Sequence, residues 1–221
     1  MTGTFCGIDE AGRGPVIGPM VLACAVFDDG GMMRLAELKV RDSKKLSPAR
    51  RSYLEPLVKD VAIEYGLAIV SAGEIDLLRK RKSLNVIEAM KVAQLICSLK
   101  NTPARIVVDA ADAVAENYRT SIIKCAADIN SDFRMPHLVS EHKADDNYLE
   151  VSAASILAKV ERDRRIEELK KTHGDFGSGY PADETTKEYV KSALKSGLLP
   201  DIVRKSWNTV SAGKQKTLDD Y

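Results

Sequence analysis

Short apolar runs that halt at a carboxylate constrain this chain more tightly than anything else in it. Phe5, Cys6, Gly7 and Ile8 stop at Asp9 and Glu10, and Ile106, Val107 and Val108 stop at Asp109. Compact runs of this kind, bounded by polar and turn residues, read as buried strands. Further on the period lengthens. Leu149, Ala153, Ile156 and Val160 recur four, three and four apart, the core-facing stripe of a strong helix from about Tyr148 to Lys171. Strands first, then helix and strand in alternation, then helices to the end predict an α/β fold with a helical C-terminal cap.

The turn chemistry supplies the boundaries. Val16 to Phe27 is continuous enough for a buried strand, and Val61 to Val70 reads as a third. Ser47 followed by Pro48 opens a helix that Pro56 must end or kink. Ser71 and Glu74 have capping-box spacing, and Ser83 caps a longer helix reaching about Leu99. A helix near Val114 to Ala127, a strand over Arg134 to Val139, and a helix capped by Asp183 and running toward Leu194 complete the expectation.

Composition removes several classes of function. An apolar share of 44% excludes a disordered chain, and 221 residues suit one large domain or a core with a smaller appendage. The longest apolar run, Gly14 to Phe27, is broken by Pro15, Gly18 and Pro19 and falls short of the ~18 residues a membrane span needs. The N-terminus lacks the basic and apolar regions of an export signal. Cys6, Cys24, Cys97 and Cys125 stand apart without metal-finger spacing, and read as small core residues of a reduced, cytoplasmic protein. Lysine and arginine number 33 against 32 acids, but near-neutral total charge leaves a nucleic-acid partner open, because local distribution decides that.

Chemistry then falls to the carboxylates. His137, His142 and His173 are scattered, and no nucleophile elbow, Walker loop or dinucleotide fingerprint occurs. Asp9, Glu10 and Asp109 end strands, and Asp145 with Asp146 precede the long helix. Ligands of α/β sheets gather beyond strand ends, so acids there share a site if the strands are neighbours. Oxygen ligands suit Mg²⁺ or Mn²⁺, and two such ions would activate water and stabilise the leaving oxygen of a phosphodiester. For any single acid, capping a turn is an equal alternative. Gly12, Arg13 and Gly14 follow directly, where glycines let backbone amides approach a ligand and Arg13 can address phosphate.

The motifs together resemble the ribonuclease HII (type 2 ribonuclease H) family, in an archaeal style. They are GIDEAGRGP over residues 7–15 with IGP at 17–19, DSKKL at 42–46, VD at 108–109 and EHKAD at 141–145. AASILAKV follows at 153–160, then GDFGSGYP at 174–181 and RKSW at 204–207. The resemblance implies an RNase H-like mixed five-stranded sheet with flanking helices, plus a helical C-terminal extension. The implied parts are a catalytic core over 1–147, a substrate-binding region over 148–213, and a tail over 214–221. It implies cleavage of RNA in RNA–DNA hybrids and at single ribonucleotides in duplex DNA, using two Mn²⁺ or Mg²⁺ ions. The implied metal-binding and catalytic acids are Asp9, Glu10, Asp109 and Asp145. Gly12, Arg13 and Gly14 would meet the 2′-hydroxyl and phosphates, and Tyr180 would pack against the deoxyribose after the ribonucleotide. Ser43, Lys44 and Lys45, with the Arg79 to Lys82 run, are candidates for phosphate contact, although such a run is as readily a solvated face.

Two other readings compete. A ribonuclease HIII resembles this family but carries an added N-terminal domain, for which few residues precede the first strand here. A non-catalytic hybrid-binding module would be expected to have lost an acid, and all four matched positions are intact. Trp207 is expected to anchor the C-terminal helix in the core rather than to stack a base. In the tail, Gln215, Leu218 and Tyr221 follow the spacing of peptides that dock onto the sliding clamp PCNA. Such peptides usually end in two aromatics where this one has Tyr221 alone, and packing back onto the domain is the alternative. Nothing in the sequence calls for an oligomer, so a monomer is expected.

Overall fold

The computed structural model describes residues 3–40 and 46–211. A five-stranded mixed sheet in the order β3-β2-β1-β4-β5 organises it. The strands are β1 (Thr4–Ala11), β2 (Met20–Asp28), β3 (Glu64–Val70), β4 (Arg105–Asp109) and β5 (His137–Glu141). β1 runs antiparallel to β2 and parallel to β4, and β4 runs parallel to β5. Two helices, α4 (Leu84–Ser98) and α5 (Ala115–Ile129), complete the alternation with β4 and β5.

Several boundaries differ from expectation. The strand expected from Val16 starts instead at Met20, because Gly18 adopts a positive φ and Pro19 follows it. A helix absent from the sequence reading, α1 (Asp29–Leu38), is opened by Asp28, whose Oδ1 accepts from the Gly31 amide at 2.7 Å. Two glycines in its first turn hide it from propensity. The next helix, α2 (Pro48–Val61), begins at the Ser47 cap as expected but runs straight through Pro56. Burial of Leu54 and Val58 on either side outweighs the one lost backbone bond. The long helix is preceded by a separate turn, α6 (Ala144–Asn147), and α7 proper spans Leu149–His173. α3 (Ala72–Arg79) and α8 (Glu184–Lys195) are capped by Ser71 and Asp183 as their spacing predicts. Cys6 and Cys24 are core residues, whereas Cys97 and Cys125 are only half-buried.

The chain packs as two compact units, each discontinuous in sequence. The first holds residues 1–11, 21–68 and 84–161. Its core sets Val21, Ala23, Ala25 and Phe27 of β2 with Leu54 and Val58 of α2 and the first half of α7. Every residue from Glu150 to Ala158 is buried, and most are small, which lets this half of α7 sit very close to its neighbours. The clearest sign is Gly7 on β1, where a Cβ would fall 2.1 Å from the Glu150 carbonyl carbon. The second unit holds residues 12–20, 69–83 and 162–221, built around Val16, Ile17, Phe176, Val190, Ile202 and Val203. Among the described residues, no helix is long and apolar enough to cross a membrane.

Candidate active site

Register brings the first pair of acids together. Ile8 of β1 lies opposite Val108 of β4, so one residue on, Asp9 and Asp109 sit side by side. Asp109 ends β4, but Asp9 and Glu10 do not end β1 as expected, because β1 stays paired with β2 through Ala11. Strands so paired run ~4.8 Å apart, and residues at one level share a face. That face is the one Gly7 presents to α7, two residues back on β1. From α7, Ser155 hydrogen-bonds the Asp9 carboxylate, and Lys159, one turn further, lies within its electrostatic reach. Glu10 is half-buried, and its amide donates to Asp9 Oδ1 at 2.8 Å.

The turn after β5 delivers Asp145. After β5, Lys143 takes the left-handed conformation at φ 57°, and the chain turns back so that the Ala144 amide donates to Asp109 Oδ1 at 2.9 Å. Asp145 comes next and is 1% exposed, while Asp146, His142 and Lys143 all face solvent. Of the adjacent Asp145 and Asp146, only the first is turned inward. Glu141, opposite Asp109 in the β4–β5 register, is occupied otherwise, accepting from Tyr148 Oη at 2.9 Å and Asn147 Nδ2 at 2.8 Å.

The carboxylates of this cluster repel one another. Burial pushes the Asp9 carboxyl well above the ordinary carboxylate range, and the Glu10 charge pushes it further. The Ser155 hydrogen bond opposes this, Asp109 adds to it, and Lys159 relieves part of it. Among the described residues, no three acidic, histidine or cysteine side chains close into a ready-made metal cage. An all-oxygen set of incompletely converged carboxylates suits a hard divalent ion that keeps waters and shares a substrate's phosphate oxygens. The residues therefore fit Mg²⁺ or Mn²⁺.

A second cluster forms within the second unit around Gly12, Arg13 and Gly14. Gly12 has φ +83°, and a Cβ there would lie 2.7 Å from the Pro19 carbonyl and 2.8 Å from Arg162 Nε, so only glycine fits. Gly14 is exposed, and the Tyr180 ring lies 3.6 Å from where its Cβ would be. Tyr180 itself is 42% exposed, with the Arg162 guanidinium 5.1 Å from its ring centroid. Its turn is fixed from α8. Thr186 Oγ1 accepts from the Gly179 amide at 3.0 Å and donates to the Phe176 carbonyl at 2.8 Å. The Gly179 carbonyl in turn accepts from the Val16 amide at 2.8 Å, tying the Tyr180 turn to the glycine loop.

Other expectations fare differently. Ser43, Lys44 and Lys45, and the tail residues Gln215, Leu218 and Tyr221, lie outside the described residues. Arg79 to Lys82 are exposed, and Arg79 stacks 4.9 Å from the Trp207 ring centroid. Trp207 does pack against the apolar cluster of its unit, but its indole also donates to the Gly14 carbonyl at 3.1 Å. In the sequence, Ser155, Lys159 and Arg204 stood out only as members of the AASILAKV and RKSW motifs, without a role, and Arg162 not at all. Ser155 and Lys159 had a legible signal, an i,i+4 polar pair on an otherwise buried helix. Arg162 had none, and the motif that holds Arg204 did not reveal its role, since the neighbours of both are remote in sequence.

Residues 6–210 match the ribonuclease HII family. A ribonuclease HII from Pyrococcus horikoshii is 44% identical over 204 residues, 92% of this chain and 89% of that protein. The solved structure of ribonuclease H2 from Pyrococcus horikoshii OT3 superposes with a TM-score of 0.87 at 40% identity, covering 96% of this chain and 98% of that one. An RNase HII from Archaeoglobus fulgidus, solved as a complex with PCNA, superposes with a TM-score of 0.84 at 41% identity, covering 98% and 100%.

Proposed function

The chain belongs to the ribonuclease HII family and is a ribonuclease H, and from that premise we propose the substrates and chemistry of its site. It hydrolyses the RNA strand of RNA–DNA hybrids and cuts at single ribonucleotides in duplex DNA, leaving 5′-phosphate and 3′-hydroxyl ends. The observation that carries this reading is the pairing of Asp9 and Asp109 on adjacent strands, with Glu10 next to Asp9 and the Ala144 amide, one residue before buried Asp145, donating to Asp109.

Asp9, Glu10, Asp109 and Asp145 would hold two divalent ions, Mg²⁺ or Mn²⁺. Bound there, the ions would supply an activated water and stabilise charge on the leaving 3′-oxygen. The chain's own residues set the stage for that. The Ala144 amide orients Asp109, and the Ser155 hydroxyl orients Asp9. Lys159 keeps part of the carboxylate repulsion in check. Recognition belongs to the glycine loop and Tyr180. The 2′-hydroxyl is the group that distinguishes a ribose from a deoxyribose, and backbone amides beside an exposed aromatic can read it. On this reading residues 1–147 carry the chemistry and 148–213 much of the substrate binding.

The test is a duplex carrying one ribonucleotide, incubated with EDTA and then with added Mn²⁺ or Mg²⁺. Cleavage at the ribonucleotide only with metal is expected, and a folded Asp109→Asn protein should be inactive, because charge is removed at constant volume. Undiminished cutting by that variant would end the metal assignment. A non-catalytic hybrid-binding module would bind the duplex and never cut it. A ribonuclease HIII-type preference would show as cutting of long hybrids without cutting at a lone ribonucleotide.

The tail over 214–221 is read as a peptide for the sliding clamp, through Gln215, Leu218 and Tyr221. Support comes from their spacing and from the Archaeoglobus fulgidus relative solved with PCNA. A monomer working in the cytoplasm suits that role.

A further inference from the structure

Four carbonyls of the Gly12 to Gly18 turn are held by two side chains that lie near the other end of the chain. Arg204 is wholly buried, yet every nitrogen of its guanidinium donates to this turn. Nε reaches the Gly18 carbonyl at 2.9 Å, Nη1 the Arg13 carbonyl at 2.9 Å, and Nη2 the Gly12 carbonyl at 2.6 Å. Trp207 adds the fourth through its indole N–H on the Gly14 carbonyl, and its ring lies 4.7 Å from the Arg204 guanidinium. The backbone reinforces the pairing, since the Gly18 amide donates to the Ile202 carbonyl at 2.9 Å and the Arg204 amide to the Val16 carbonyl at 2.8 Å.

Peptide geometry converts this into a statement about donors. Among the described residues no peptide bond is cis, so each C=O points opposite to the N–H that follows it. Drawing the Gly12 and Arg13 carbonyls onto the guanidinium therefore turns the Arg13 and Gly14 amides away from it. The other two held carbonyls, of Gly14 and Gly18, precede Pro15 and Pro19, which have no N–H to turn outward. What faces away from Arg204 is a pair of successive donors, at exposed Gly14 and beside Tyr180. Burying a guanidinium is costly unless its donors are matched, and an apolar side chain would fill the same volume more cheaply. Filling space is thus a poor account of Arg204.

We propose that Arg204 and Trp207 are positioning residues for ribonucleotide recognition, holding the Gly12 to Gly14 peptides so that the Arg13 and Gly14 amides meet the 2′-hydroxyl and the neighbouring phosphate oxygen. This rests on the reading of the glycine loop as the ribose reader. Donors set in advance need no rearrangement when the substrate arrives, so loosening them costs rate. Affinity for the duplex, dominated by phosphate contacts elsewhere, changes little. Lysine cannot replace Arg204, because its donors radiate from one nitrogen and the three carbonyls are met by three separate nitrogens of a rigid planar fork.

The experiment compares wild type, Trp207→Phe and Arg204→Lys on a duplex with one ribonucleotide. Trp207→Phe keeps an aromatic ring while removing the indole N–H and part of the bicycle, a milder change that guards against a misfolded Arg204→Lys. Expected are a roughly fivefold to tenfold loss of kcat for Trp207→Phe and about a hundredfold loss for Arg204→Lys. KM should be nearly unchanged and melting temperature close to wild type for Trp207→Phe. Hydrogen exchange should quicken at the Arg13 and Gly14 amides before it quickens at Val190 or Ile202 in the core of the same unit. Trp207 is the single tryptophan of the sequence, so its fluorescence should respond to the ribonucleotide duplex more than to the same duplex in all-DNA form, with Ca²⁺ in place of a catalytic ion. Wild-type kcat in a folded Trp207→Phe protein, with equal fluorescence responses to both duplexes, would overturn the proposal. Failure of the wild type itself to cut at the ribonucleotide is a separate outcome. It would remove the recognition reading and the positioning role together.

Discussion

Asp9 shows what a single residue gives up to serve a site. Its carboxyl is buried and faces Glu10 and Asp109, so in the folded protein it holds a proton to higher pH than in the unfolded chain. The folded state therefore binds more protons between the ordinary carboxylate range and the raised value, and stability of the metal-free protein falls as pH rises through that window. Asp9→Asn should accordingly raise the melting temperature by a few degrees near neutral pH in EDTA, and the gain should vanish near ~pH 4. Excess Mg²⁺ at neutral pH should stabilise the wild type and leave the variant unmoved. A melting series over pH, with and without metal, checks all three. Tyr180 is the opposite case, an exposed ring whose burial yields little, so its value lies in contact with substrate. Tyr180→Ala is expected to slow cleavage at a lone ribonucleotide more than it weakens duplex binding. Equal losses in rate and affinity would make it binding surface only.

Among the elements, α7 and β1 matter most, because their close approach sets the acids against Ser155 and Lys159. The approach depends on small residues over Ala153 to Ala158 and on Gly7, where no side chain fits. A methyl group at Gly7 would meet the backbone of Glu150, and backbone cannot swing aside as a flexible side chain does. Gly7→Ala should therefore destabilise the fold by roughly 3 kcal/mol, read as a lower urea midpoint. The residual folded protein should also cleave more slowly, since β1 would carry Asp9 away from α7. A midpoint equal to wild type would mean the two elements are less closely coupled than their contact implies. Glu150 contributes from the same turn, buried and paired with Arg105 at 2.8 Å, with the Arg105 guanidinium 5.3 Å from the Phe5 ring centroid. The strand-end loop of this site is thus held by an ion pair at one end and by the Ala144 amide on Asp109 at the other.

For the whole molecule, the chain order conceals the organisation. Each unit draws on three separated stretches, and among the described residues the second gathers 12–20, 69–83 and 162–211. The loop that follows Glu10 in sequence thus takes its support from residues near position 204. The tail works differently, as a short peptide whose proposed role needs nothing from the fold. Deleting Lys214 to Tyr221 should leave unassisted cleavage nearly unchanged and abolish association with the cognate clamp. Calorimetric titration of the clamp with full-length and truncated protein decides it. Equal affinities would rule the tail out as the docking peptide.

The sequence alone determined the alternation of strand and helix, the caps at Ser47, Ser71 and Asp183, and the position of Asp109 at a strand end; Asp9 and Glu10 lie inside β1, which runs on to Ala11. These are properties of neighbours within a few residues, where period, capping oxygen and β-branching act locally. It also carried the family, because spaced motifs survive in linear order. The sequence left undetermined which strand lies beside which, the roles of Arg162 and Arg204, and the hydrogen bond that Trp207 adds to its expected packing. Arg204 makes the reason plain. Its place in the RKSW motif gave Arg204 no role, and only contact with carbonyls some 190 residues earlier makes it a buried brace. Sheet order and buried polar contacts depend on pairings between distant segments, and those are decided when the chain closes on itself.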